Sequence, residues 1–221
     1  MSNQHPPAWP MYRALVGIGM LCGLLIAIVY IGTAPVIAQN RAEALEAAVF
    51  RVLEGAEQRV TFVRAEDGFV VDDEATGPAI HAGYDADGTL VGIAIEASGM
   101  GYADLITVLY GYSPAKETIV GFQVLGSMET PGLGDKIAKD PRFLANFEAL
   151  DVRLDESRQA LVNRVTTVKQ GTKTESWQVD GITGATISSV AVGEILAAST
   201  AEWLPLIAAN LSAIEEGVGE D

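Results

Sequence analysis

Cysteine and histidine are almost missing from this 221-residue chain: its one thiol is Cys22 and its only imidazoles are His5 and His81. A disulfide framework, a Cys/His zinc site, a thiolate-ligated iron–sulfur cluster and a CxxCH haem attachment therefore cannot be assembled from this chain alone. A Ser-His-Asp or Cys-His nucleophile would need His81 as its base, and Cys22 stands in an apolar run, which disfavours hydrolase chemistry of that kind. Basic residues are scarce as well. Against 29 Asp+Glu there are 14 Lys+Arg, clustered nowhere, so a nucleic-acid partner is excluded on charge. Any redox chemistry has to come from an organic cofactor.

What is present begins with a long apolar run. From Ala14 to Asn40 there are 27 residues without a charge. As a helix they would extend about 40 Å, beyond the roughly 30 Å of bilayer hydrocarbon. This reads as one transmembrane span. A cleaved signal peptide ending at Val36-Ile37-Ala38 is the competing reading, and the stretch is longer than the usual apolar region of such peptides. Gly19 and Gly23 stand at the spacing of close helix packing, which ordinary lipid-facing glycines also match. Arg13 precedes the span and Arg41 is soon followed by Glu43 and Glu46, which favours a cytoplasmic N-terminus. The rest carries 13 basic and 29 acidic groups, an acidic domain long enough to bury a core. The expected division is a cytoplasmic N-terminus over 1–13, a transmembrane helix over 14–38, a connecting helix over 39–59 and one soluble domain over 60–221.

Asn40 followed by Glu43 fits a capping box and predicts a helix over about 41–57. The acidic stretch from Glu66-Asp67-Gly68 to Gly77-Pro78 reads as a solvated loop. Residues 80–84 and 89–96 flank Asp85-Ala-Asp-Gly88, a hairpin signal, with Val91, Ile93 and Ile95 alternating. Residues 105–110 and 118–125 form a second pair around Gly111-Tyr-Ser-Pro114. Pro141 opens a short helix with Phe143, Leu144 and Phe147. A helix is expected over 186–203, with another starting near Pro205. The fold class is α+β: a transmembrane helix, then one soluble domain with a twisted antiparallel sheet and flanking helices.

The chemically informative run is Asp180-Gly181-Ile182-Thr183-Gly184-Ala185-Thr186-Ile187-Ser188-Ser189. Small residues and hydroxyls meet where a loop enters a helix, whose first amides and positive dipole end suit a phosphate. The same residues also suit a plain N-cap, Thr183 or Thr186, after a glycine turn. A second run, Ser127-Met-Glu129-Thr130-Pro131-Gly132-Leu133-Gly134, makes a rigid turn. It can expose amides and the apolar Leu133 as a wall for a ligand, or simply join a strand to a helix.

The first run resembles the flavinylation motif of the FMN-binding domain family. Its acidic residue, hydroxyl residue, Gly-Ala pair, acceptor Thr and following hydroxyl fall on Asp180, Thr183, Gly184, Ala185, Thr186 and Ser188. The second resembles the E-T-P-G-L-G loop of the G subunits of Rnf electron transport complexes, through Glu129, Thr130, Gly132 and Leu133. Together with the N-terminal span and Gly99-Met-Gly-Tyr102, the resemblance extends over most of the chain. The C subunits of sodium-pumping NADH:quinone oxidoreductases share the threonine motif but are longer.

The resemblance implies FMN joined to the Thr186 side-chain oxygen by a phosphoester, installed by a separate flavin transferase that uses FAD and magnesium. It implies a relay within a membrane complex passing electrons between ferredoxin and NAD, coupled to ion translocation and not catalytic on its own. The other subunits would be its partners. The acidic domain would lie on the periplasmic side of a bacterial inner membrane. Two alternatives stand beside this: a flavin relay of another membrane redox system, and a non-redox periplasmic assembly domain whose threonine motif only caps a helix.

Overall fold

The structure, a computed structural model, describes residues 9–65, 68–72 and 79–217. It divides into two compact units, one ending at Ala44 and one beginning at Leu45. The first unit is helical. Helix α1 runs Trp9–Val52, and its most apolar window has a mean hydropathy of 2.6 with none of it buried, long and apolar enough to cross a membrane. The helix expected to start at Asn40 does not start there, because α1 passes through that position without a break. Between Val36 and Val52 the sequence has neither Gly nor Pro to interrupt it, and Gln39 Nε2 donates to Glu43 Oε1 (2.9 Å) along one face. It also ends earlier than expected, at Val52, where Gly55 turns the chain at φ +95°.

The second unit is built on a seven-stranded antiparallel sheet. Its strands are β1 Gln58–Ala65, β2 Gly68–Val71, β3 Ala79–Tyr84, β4 Leu90–Met100, β5 Leu105–Ser113, β6 Thr118–Gly126 and β7 Leu150–Asp151, in the order β2-β1-β3-β4-β5-β6-β7. The two expected hairpins are β3–β4 and β5–β6, and the second turn lies at 114–117, later than expected, because Gly111 to Ser113 still pair with β6. Part of the expected acidic loop is strand: β2 pairs with β1, Phe62 opposite Val71, while residues 66–67 and 73–78 lie outside the described residues.

Each sheet face has its own cover. Ile93, Ile95, Val108 and Tyr110 point to the face packed by helix α3 Thr186–Ala209, where the Tyr110 hydroxyl meets Ser199 Oγ at 2.8 Å. Ala94 and Leu109, one residue out of phase, face Ala48, Val49, Val52 and Leu53. That crossing is made possible by glycines on four neighbouring strands. A Cβ on Gly83 would lie 2.8 Å from Leu53 Cδ1, one on Gly92 would lie 2.9 Å from Leu53 Cδ2, and one on Gly111 or Gly121 would overlap the Val52 carbonyl oxygen.

Beyond β6 come a 3₁₀ turn, Gly134–Ala138, the short helix α2 Pro141–Leu144 and a second 3₁₀ turn, Ala145–Phe147. Pro141 does open α2, with Asp140 as the N-cap accepting from the Arg142 amide (2.9 Å), and Phe147 stacks on Phe122 at 4.2 Å. The stretch without regular signals holds a small parallel pair, β8 Thr166–Val168 and β9 Gln178–Asp180. α3 also runs longer than expected. Pro205 lies inside it, because buried Leu204 and Ile207 hold the last turn on the core, and the final helix α4 begins later, at Leu211–Glu215. α3 is apolar, but 61% of its most apolar window is buried, so it is a core helix.

Candidate functional site

The run from Asp180 to Ser189 leaves β9, turns, and enters α3. The turn is type II: the Ala185 amide donates to the Ile182 carbonyl (3.0 Å) and Gly184 takes φ +87° in the position where an L side chain is strained. Ser189 fastens it, its Oγ accepting from the Ile182 amide (3.1 Å) and donating to the Ala185 carbonyl (2.8 Å). The N-cap is Ala185, with no side-chain cap, so neither Thr183 nor Thr186 caps the helix as the plain reading would require. Thr186 is exposed at the first position of α3 and, among the described residues, its hydroxyl takes part in no hydrogen bond. Beside it the first amides of α3 have no intrahelical partner and point outward with the positive end of a 24-residue helix.

The other motif residues shape the approach to Thr186. The Asp180 carboxylate accepts from the Gly171 amide (2.7 and 3.0 Å), closing the loop that follows β8. Asn146 brackets Asp180, accepting from its amide (2.9 Å) and donating to its carbonyl (3.2 Å), while Lys173 Nζ donates to Asn146 Oδ1 (3.2 Å). Thr183 is exposed and its amide donates to Gln170 Oε1 (3.0 Å). A cavity of about 400 Å³ opens beside Thr186, with Thr167, Lys169, Gln170, Gly181 and Thr183 on its walls. A cation, two hydroxyls, an amide side chain and free helix amides around a cleft of that size can hold a phosphate and the first part of whatever it bears.

The Glu129–Gly134 loop reaches the same helix start from the other side. Glu129 is buried, and its Oε2 accepts from Ser188 Oγ at 2.5 Å, so the two sequence motifs are in direct contact. Burial pushes the Glu129 carboxyl up, but hydrogen bonds from Ser188 and from the Ala103 and Tyr102 amides outweigh it and hold the group below the usual glutamate range. Thr130, Gly132 and Leu133 are exposed, Leu133 at 51%. Tyr102, Met128 and Ile187 add exposed apolar surface around the two motifs.

Lys169, Gln170 and Asn146 were not anticipated from the sequence. They arrive through the parallel β8–β9 register, Val168 opposite Asp180, and through the Asn146 contacts. No periodicity or spacing announces either.

The FMN-binding domain family matches residues 101–200, a range that contains both motifs. Over 182 residues the chain is 34% identical to the G subunit of the ion-translocating oxidoreductase complex of Methanosarcina acetivorans, covering 82% of this chain and 87% of that one. It is 28% identical over 172 residues to the G subunit of the proton-translocating ferredoxin:NAD(+) oxidoreductase complex of Clostridium ljungdahlii, covering 78% of each. Among solved structures, the C subunit of the Na(+)-translocating NADH-quinone reductase of Parabacteroides distasonis superposes with a TM-score of 0.59 at 23% identity, over 76% of this chain and 94% of that one. The NqrC protein of Shewanella oneidensis gives 0.57 at 17% identity, over 75% and 93%. These two likenesses are of fold.

Proposed function

Since the chain belongs to the G-subunit family of ion-translocating oxidoreductase complexes and carries its FMN-binding domain, we propose that it is a membrane-anchored electron carrier whose FMN is joined covalently to Thr186. The observation that carries this reading is the exposed, unbonded Thr186 hydroxyl at the open end of α3 beside a cavity of about 400 Å³. The residues present fit the group: hydroxyl, helix amides and Lys169 for the phosphate, and Leu133 with its exposed apolar neighbours for a ring. When bound, the flavin supplies the reversible uptake of electrons that no side chain of this chain offers.

The protein's own part is attachment, orientation and tuning. Thr186 Oγ would be the atom esterified by the FMN phosphate, with FAD as the donor in a magnesium-dependent transferase, AMP as the leaving group and the hydroxyl proton released. The amides at the start of α3 and the Lys169 ammonium stabilise the remaining phosphate charge. Gly184 shapes the turn and Gly181 packs its backbone under it. Ala185 lies buried at its base and Ser188 anchors the helix start. Asp180 and Thr183 hold the loop from Lys169 to Gly171 in place. The exposed Thr130, Gly132 and Leu133 would border the ring, with the buried Glu129 supporting them from beneath.

In this reading residues 14–38 anchor the chain by one span, with residues 1–13 cytoplasmic and the domain on the periplasmic side of the inner membrane. The connecting segment over 39–59 leads into the FMN-binding domain over 60–221. The relay serves the other subunits of a complex that couples electron transfer between ferredoxin and NAD to ion movement.

The test is intact mass. Coexpressed with an active flavin transferase, the wild type should gain the mass of one FMN less water and Thr186→Ala should gain nothing, while Thr183→Ser should remain labelled. Thr186→Ala should still fold, since the side chain makes no hydrogen bond whose loss would destabilise the domain. A folded Thr186→Ala protein that carries the flavin mass would refute the attachment site.

A further inference from the structure

Glu129 is 6% exposed, so it lies beneath the surface on which a ring would rest. Its Oε1 accepts from the Tyr102 and Ala103 amides (2.7 and 3.0 Å) and its Oε2 from the Ser188 hydroxyl (2.5 Å). Two glycines make room for it: a Cβ on Gly101 would overlap Oε1, and one on Gly134 would overlap Oε2. One carboxylate thus closes together three segments far apart in sequence: the turn between β4 and β5, the Leu133 loop and the first turn of α3. The first turn of α3 has no side-chain cap of its own, so Ser188 is a tether that ties it to those two exposed turns.

We propose that Glu129 is the positioning residue of the flavin site, fixing the start of α3, with Thr186 two residues from the tethered Ser188, against the turns that present Tyr102 and Leu133. The inference rests on the Thr186 reading above and deepens it. A buried carboxylate with three donors is a stiff joint, because each lone pair in use restricts the segment that donates to it. Glutamine would keep an acceptor for the two amides and could still pair with Ser188, the hydroxyl then accepting. Alanine would leave two amides without their acceptor and release α3 from both turns.

The measurement is the rate at which the detergent-solubilised full chain gains flavin mass from FAD and magnesium with purified transferase, together with visible circular dichroism of the attached flavin, which reports whether the ring is held in one place. Glu129→Ala and Ser188→Ala should label about tenfold more slowly, because small misplacement of a reacting hydroxyl is costly. Their flavin dichroism should collapse, and Glu129→Gln should fall between them and the wild type. A carboxylate that only stabilised the fold would lower the melting temperature and leave both readouts of the folded protein unchanged. Ser188→Ala keeps Glu129 and both amide bonds, so it decides even if Glu129→Ala fails to fold. Wild-type labelling and dichroism in folded Ser188→Ala would overturn the proposal. Thr186→Ala, run alongside, separates the two readings: flavin mass on that variant defeats the attachment site, whereas none there with wild-type behaviour in the Ser188 variant defeats the positioning role alone.

Discussion

At Gly132 the backbone takes φ +78° while an added Cβ would meet nothing within 4 Å, so a side chain there is opposed by conformation and not by space. The Gly132 amide also donates to Asp135 Oδ1 at 2.7 Å, which fixes the turn that exposes Leu133. Gly132→Val should therefore destabilise the domain by about 1–3 kcal/mol, the usual cost of holding an L residue in a sparsely populated region. Because the proposed attachment point, Thr186, lies in the other motif, the variant should keep the flavin mass while its flavin absorbance or potential shifts. Unchanged spectrum and potential in the folded variant would reduce the loop to a connector. At this scale the sequence discloses the residues that bear hydroxyls and glycines, since their chemistry is local: Thr186, Gly184 and Gly132 stand where the motifs lead one to look. Lys169 and Gln170 were invisible, because they reach the cavity through a strand pairing that no short window contains. Glu129 was anticipated as part of the site but not as a buried joint, since burial depends on Gly101 and Gly134, one of them 28 residues away.

Among the elements, the glycine floor beneath Val52 and Leu53 offers a sharp test of packing. A Cβ at Gly111 would overlap a backbone oxygen of Val52, which cannot rotate aside as a side chain could. Gly111→Ala should cost about 1–3 kcal/mol by overpacking. Gly126→Ala, whose nearest neighbour would be Thr107 Cβ at 4.0 Å, serves as the control and should be nearly neutral. Urea unfolding of the two variants compares them directly, and equal midpoints would mean that the end of α1 does not rest on the sheet at Gly111. The hairpins β3–β4 and β5–β6 could be read in advance because their alternation and turn residues are contiguous. Strands β1 and β2 could not, as acidic residues around Gly68 masked a pairing decided by β3 and by the core under Phe62. Pro205 misled for a related reason: a local break signal was overridden by the burial of Leu204 and Ile207. Asn40 misled in the opposite sense, a start signal placed inside a helix already running.

For the whole molecule, the separation of charge along the chain sets the expected topology. Arg13 is the only charged residue before residue 41, and 29 acidic groups follow it against 13 basic ones. The positive-inside rule counts mainly Lys and Arg close to the span, where Arg13 ahead of it is set against Arg41 beyond it, so the carboxylates beside Arg41 tip a near balance. Arg41 stands on the far side but is soon followed by Glu43 and Glu46, and α1 carries all three within one uninterrupted helix. The N-terminus should thus stay in the cytoplasm and the FMN-binding domain should be exported. That placement would also give the proposed covalent attachment a physical purpose, because a relay held only by reversible binding would lose its flavin to a dilute compartment, whereas a phosphoester at Thr186 would hold it there. Alkaline phosphatase fused after Asp221 should be active, since it matures only where disulfides form, and a reporter that fluoresces only in the cytoplasm should be dark there. Shifting the balance by Arg13→Glu together with Glu43→Lys and Glu46→Lys should raise the fraction of inverted chains. Activity of the cytoplasmic reporter on the unaltered chain would overturn the orientation and the periplasmic flavin together, while leaving the Thr186 attachment to be judged by mass.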